Sequence, residues 1–75
     1  MRIYVGHLNR DVTDLDLRQS FEAFGRVESA SVTKNKWSGE SKGFGFVEMP
    51  ENVQAQAAIK DLNGKVLKGQ ALIVK

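Results

Sequence analysis

The run KGFGFVEM, Lys42 to Met49, constrains the fold more than any other stretch of the chain. Its apolar residues fall at both parities of a period-two pattern, Phe44 and Phe46 on one side and Val47 and Met49 on the other, with Gly43 and Gly45 interleaved. A strand places alternate residues on opposite faces, so only one of these sets can face a given layer. Glycine packs nothing and loses much backbone entropy in a strand, so its presence here implies that something approaches the backbone closely. The pattern predicts a strand with Val47 and Met49 toward a core, the two glycines on that same side to let helices sit close, and both phenylalanines on the other face. The competing reading reverses the faces and buries the phenylalanines. Ile3 and Val5, which alternate with Tyr4 in RIYVG near the start, fit the first reading.

The rest of the chain has to supply one core around that strand. At 75 residues, long unstructured segments would leave too little buried surface, so residues 1–75 are expected to form a single domain. There is no cysteine, which excludes a disulfide framework and a thiolate metal site and suits an intracellular, cytoplasmic setting. No apolar run approaches a membrane span, and MRIYVGHLNR has no signal-peptide core, so a soluble protein without a membrane partner is expected.

Six elements follow from the patterning. RIYVG reads as a strand. Thr13 opens T-D-L-D, a helix start whose hydroxyl can accept from the backbone while Asp14 and Asp16 meet the positive end of the dipole. Leu17, Phe21 and Phe24 then mark one helical face, and Gly25 is expected to end it. Val27–Lys34 reads as a strand with Ala30 and Val32 inward and Ser29, Ser31 and Thr33 outward. NKWSGES supplies a mobile hairpin tip before KGFGFVEM. Pro50 suits the first turn of a second helix carrying Ala55, Ala58, Ile59 and Leu62, which stops at Asn63-Gly64. KVLKGQALIVK ends the chain with a turn at Lys68-Gly69 and a last strand. The order β-α-β-β-α-β predicts an α+β, ferredoxin-like sandwich, a four-stranded antiparallel sheet with two helices on one face. The helix-facing set is Ile3, Val5, Ala30, Val32, Val47, Met49, Leu72 and Val74; the open face shows Tyr4, Lys42, Phe44, Phe46 and Ile73.

Charge divides along the same line. Segments 11–25 and 50–63, the two helices, carry Asp11, Asp14, Asp16, Glu22, Glu51 and Asp61 against Arg18 and Lys60, a net of −4. The remaining residues carry +6. A basic sheet side opposite acidic helices is the footprint of a nucleic-acid binder, and aromatic rings beside cations suit single-stranded nucleic acid, whose unpaired bases stack while lysine and arginine meet phosphates. A catalytic set is missing: one histidine, no cysteine and no oriented acid pair leave no nucleophile, base and orienter, and the glycines form neither a dinucleotide nor a phosphate loop. No enzyme activity, metal or cofactor is expected.

KGFGFVEM resembles the octamer of the RNA recognition motif family, K/R-G-F/Y-G/A-F-V-x-F/Y, at seven of its eight positions. IYVGHL resembles the family's first-strand hexamer, and F-E-A-F-G and L-N-G extend the likeness over essentially the whole chain. In its length and in GFGFVEMP it looks most like the small bacterial proteins built from one such domain. The resemblance implies that Tyr4 and Phe46 stack on bases, that Phe44 lies against sugars and that Lys42 pairs with a phosphate. It departs from the family at Met49, whose parity makes it a core residue, and at His7, which is either a base contact or a structural residue. Trp37 at the hairpin tip either folds over bases, packs back on the domain or meets a protein partner. Arg2, Lys34 and Lys75 are candidate phosphate contacts and Ile73 a platform residue. The expected function is binding of single-stranded RNA by a monomer, in post-transcriptional regulation or RNA chaperoning, with single-stranded DNA a possible ligand. A protein-interaction module using the same sheet face or the acidic helices is the alternative.

Overall fold

A computed structural model describes all of residues 1–75. The elements run β1 (Arg2–Gly6), α1 (Asp14–Glu22), β2 (Ser29–Lys34), β3 (Ser41–Glu48), α2 (Asn52–Leu62), β4 (Val66–Leu67), β5 (Gln70–Ala71) and β6 (Ile73–Val74). Four of the strands form an antiparallel sheet in the order β2-β3-β1-β6, with both helices on one face, the expected ferredoxin-like arrangement. Ile3, Val5, Val32, Val47, Met49, Leu72 and Val74 are buried with Leu17 and Phe21 of α1 and Ala55, Ala58 and Leu62 of α2 in one cluster, and Ala30 packs against it. The helix-facing set therefore meets the helices as the alternation predicts.

Each helix is held by a different device. Thr13 caps α1 with a complete capping box: its hydroxyl accepts from Asp16 N at 3.2 Å, and the Asp16 carboxylate accepts from Thr13 N at 2.9 Å. The helix stops at Glu22, earlier than the expected Gly25, because Ala23 already serves as C-cap; Gly25 instead leaves room for the Gln54 carboxamide, which accepts from Arg26 N at 3.1 Å. Pro50 lies outside α2 rather than in its first turn, since Glu51 is the N-cap, and no side chain caps that end.

The two glycines of β3 have separate reasons. A Cβ on Gly45 would run into the Ser31 carbonyl and Val32 of the neighbouring strand and approach Leu17 of α1 to 3.1 Å, so strand and helix both need its bare backbone. Gly43 does not admit a helix. Between Val32↔Gly45 and Lys34↔Ser41 the β2–β3 register shifts, and β3 carries the surplus residues through Gly43 at φ 83°, a left-handed conformation that side chains disfavour. The hairpin tip beyond is a closed hydrogen-bonded turn rather than a loose one: Asn35 Oδ1 accepts from Trp37 N and Ser38 N, and Asn35 N donates to Glu40 O.

The expected last strand is split. β4 and β5 form their own hairpin across Lys68 and Gly69, both at positive φ (49° and 86°), the signature of a type I′ turn. The sheet is joined beside β1 by Ile73 and Val74, with Lys75 bonded on to Tyr4. The hairpin is pinned to the β1–α1 loop, where Lys68 Nζ reaches both Asp16 Oδ2 and Asp11 O at 2.9 Å and its carbonyl accepts from Asn9 Nδ2. One backbone N–H on each sheet edge is capped by a side chain: Val32 N donates to Asp14 Oδ1 at 2.7 Å on β2, and Val74 N donates to Asn63 Oδ1 at 3.0 Å on β6. A row of unpaired edge groups is a template for another strand, and each cap takes one donor out of that row.

Asp14→Ala and Asn63→Ala should each cost about 1–2 kcal/mol in urea denaturation, the loss typical of an edge N–H left without its acceptor, and the losses should add because the sites sit at opposite edges. An unchanged midpoint in either variant would show that edge to be held elsewhere. Asp16 has its pKa lowered, chiefly by the bond from Thr13 N and then by Lys68. A depressed folded value means stability that is full above the unfolded carboxylate pKa and lost as pH falls through the folded one. Asp16→Asn, which keeps the acceptor but not the charge, should thus be less stable than the parent at neutral pH, and melting curves should converge on acidification.

Candidate nucleic-acid interface

Three rings stand together on the uncovered sheet face. The ladder sets Tyr4 opposite Phe46, and the Tyr4–Phe44, Tyr4–Phe46 and Phe44–Phe46 centroids lie 6.0, 5.9 and 6.1 Å apart, the first pair stacked and the others edge-on. Such contacts are worth about 0.5–1.5 kcal/mol a pair beyond area burial. They let the rings support one another while each stays only half-buried, with no helix over them. Gly6 makes space for this cluster. A Cβ there would come within 2.6 Å of the Tyr4 hydroxyl, so the tyrosine lies over bare backbone at the end of β1.

Cations reach the rings directly. The Arg2 guanidinium sits 4.2 Å from the centre of Phe46, and Lys75 Nζ lies 5.8 Å from that of Tyr4. Neither belongs to an ion pair; the three that form are Arg10–Glu40, Arg18–Glu22 and Lys68–Asp16. Lys75 extends the sheet by exchanging backbone bonds with Tyr4. Ile73 lies opposite Gly6 and is exposed at the rim of the cluster, and Ser31 lies opposite Phe46. Lys42 is exposed in β3 on the far side of the Gly43 irregularity and has no ion-pair partner.

The remaining sequence candidates sit elsewhere. Trp37 does not pack back on the domain: it is 86% exposed on the hydrogen-bonded tip, with Lys36 Nζ 5.0 Å from its ring, and makes no contact with the three-ring cluster. Lys34 leaves the platform, because its parity is that of Val32; it lines a polar concavity of about 550 Å³ with Arg10, Asp11, Thr13 and Glu40. His7 is tied down. It takes φ 57°, its Nδ1 lies 2.8 Å from Ala71 O and its own carbonyl accepts from Gln70 Nε2, so it joins the end of β1 to β5. A carbonyl only accepts, which assigns the Nδ1 proton and leaves Nε2 as the free ring nitrogen.

Two contributors have no counterpart in the expectations drawn from sequence. Gly6 is one, and only the tyrosine's lean over the backbone reveals it. Glu48 is the other: it continues the alternation of Phe44 and Phe46 onto the same face, opposite Arg2 on β1 and Ser29 on β2. Its period of two was readable, but its negative charge does not fit a search for cations.

Comparison with known proteins agrees with this geometry. A family model described as the RNA recognition motif matches residues 3–73. The chain is 42% identical over 73 residues to a chloroplastic 28 kDa ribonucleoprotein of Nicotiana sylvestris, covering 97% of this chain and 26% of that one; it thus spans about a quarter of that relative's length. Among solved structures, an RNA binding protein named PG1 superposes with a TM-score of 0.97 at 44% identity, covering 100% of this chain and 90% of its own. The sex-lethal protein in a complex with RNA superposes with a TM-score of 0.94 at 31% identity, covering 99% of this chain and 44% of its own. A match across nearly every residue, on a sheet whose open face carries Tyr4, Phe44 and Phe46, places the chain in the RNA recognition motif family.

Proposed function

We propose that residues 1–75 act as one domain whose open sheet face binds single-stranded RNA. The observation that carries this reading is the half-exposed triangle of Tyr4, Phe44 and Phe46 with Arg2 and Lys75 against its rings and no competing ion pairs. Tyr4 and Phe46 each offer a stacking surface, Phe44 at the third corner of the triangle lies against or between the sugars, and Lys42 and Lys75 take phosphates. Trp37 stacks on a flanking base outside the triangle. Supporting the choice of RNA are the family and the relatives, one a ribonucleoprotein and one solved with RNA. Single-stranded DNA offers the same stacking and lacks only the 2′-hydroxyl, so preference between the two rests on contacts to that group.

The domain works as a monomer in this reading, and the capped N–H groups on β2 and β6 are in keeping with it. The run GFGFVEMP supports placement with the small bacterial members of the family, although the curated relative is a longer chloroplastic protein. A cytoplasmic role in post-transcriptional regulation or RNA chaperoning follows from that placement. No helix is long and apolar enough to cross a membrane.

An amide NMR titration with a short degenerate RNA, repeated with matching DNA and at two salt concentrations, tests the reading. Salt-sensitive shifts are expected at Tyr4, Lys42, Phe44, Phe46 and the Trp37 tip, and no shifts with either strand would overturn it. Phe46→Ala should weaken binding by about 1–3 kcal/mol with the fold intact, the usual worth of one stacked base. Lys42→Ala should lower the slope of log affinity against log salt by about 0.7, the value for one single-strand phosphate contact; an unchanged slope would remove Lys42 from the phosphate path.

A further inference from the structure

Glu48 is the one acid on the platform side of β3, half-buried and two residues beyond Phe46. The ladder places it directly opposite Arg2, a natural ion-pair partner. Arg2 instead lies over the Phe46 ring, and Glu48 takes part in none of the molecule's ion pairs. Its carboxylate is an unengaged acceptor on a surface that is otherwise fitted to a polyanion. An acid there weakens attraction to every phosphate, so any favourable contact it makes with the ligand is to a hydrogen-bond donor.

Base chemistry narrows that donor. A carboxylate accepts through two oxygens side by side. Guanine alone among the four bases presents two adjacent donors on its Watson–Crick edge, N1–H and the N2 amino group. Adenine and cytosine pair one amino group with a ring nitrogen acceptor that a carboxylate repels, and uracil sets its single N–H between two carbonyls. Guanine also carries O6 and N7, acceptors that suit the donor fork of an arginine.

We propose that Glu48 and Arg2 form a guanine-selecting subsite around Phe46, resting on the RNA-binding reading above. A base arriving on Phe46 displaces the Arg2 guanidinium from the ring. Glu48 accepts from its N1–H and N2 amino group, and Arg2 turns to O6. Glu48 then determines specificity, while Phe46 supplies stacking that any base can use.

The test measures binding of UUGUU, UUUUU and UUIUU, in which inosine lacks the N2 amino group, to the parent, Glu48→Ala, Glu48→Gln and Phe46→Ala, with amide spectra confirming each fold. The parent should bind UUGUU about ten-fold more tightly than UUUUU, within the range of one bidentate contact, with UUIUU between them. Glu48→Ala should abolish that ratio and bind UUUUU at least as tightly as the parent does, and Glu48→Gln should keep part of the ratio. No guanine preference in the parent, or an equal change for all three oligomers in Glu48→Ala, would overturn the subsite. The platform would still stand if Phe46→Ala weakened all three. Failure of the parent to bind any of them would remove platform and subsite together.

Discussion

The pairing of β1 with β3 in one register is the constraint on which everything else depends. Ile3 opposite Val47 and Val5 opposite Gly45 supply the helix side, while Tyr4 opposite Phe46 and Arg2 opposite Glu48 supply the open side. Because side chains alternate with a period of two, a slip of one residue would exchange these sets, burying the rings and exposing the aliphatic core. Stability and surface chemistry are therefore specified by the same hydrogen bonds. The hydrophobic demand of α1 and α2 for Ile3, Val5 and Val47 leaves Tyr4 and Phe46 no other place to go.

Much of this was legible in sequence, because period and parity are properties of the chain itself. The strand faces, the capping role of Thr13 and the two helical stripes all follow from local spacing. What escaped depends on neighbours distant along the chain. Gly43 and Gly45 look alike in the octamer, yet one serves a register shift and the other a close strand approach. The last strand reads as continuous, since nothing local announces that Leu72 N donates to Lys65 O at 2.8 Å instead of extending the sheet. His7 was ambiguous for the same reason: its partner, Ala71, is 64 residues away.

Polar side chains complete what the core begins. Asp14, Asn63, Gln54 and Lys68 each bind backbone groups far along the chain, and all act at the borders of elements where regular pairing ends. The L-N-G stretch gains a physical meaning from this: Leu62 enters the core while Asn63 finishes the edge beside β6. A domain this small has little apolar area to spare, and these bonds hold its margins without calling on more.

The position of Arg2 over Phe46 bears on how the surface responds to a ligand. The ring is already occupied by a tethered cation, so the base stacking proposed above would be an exchange between an internal ligand and an external one. That exchange would lose one cation–π contact and free a guanidinium for the base edge that the subsite proposed above assigns to it. In that scheme stacking and edge recognition are coupled through a single side chain, because Arg2 can serve only one of them at a time.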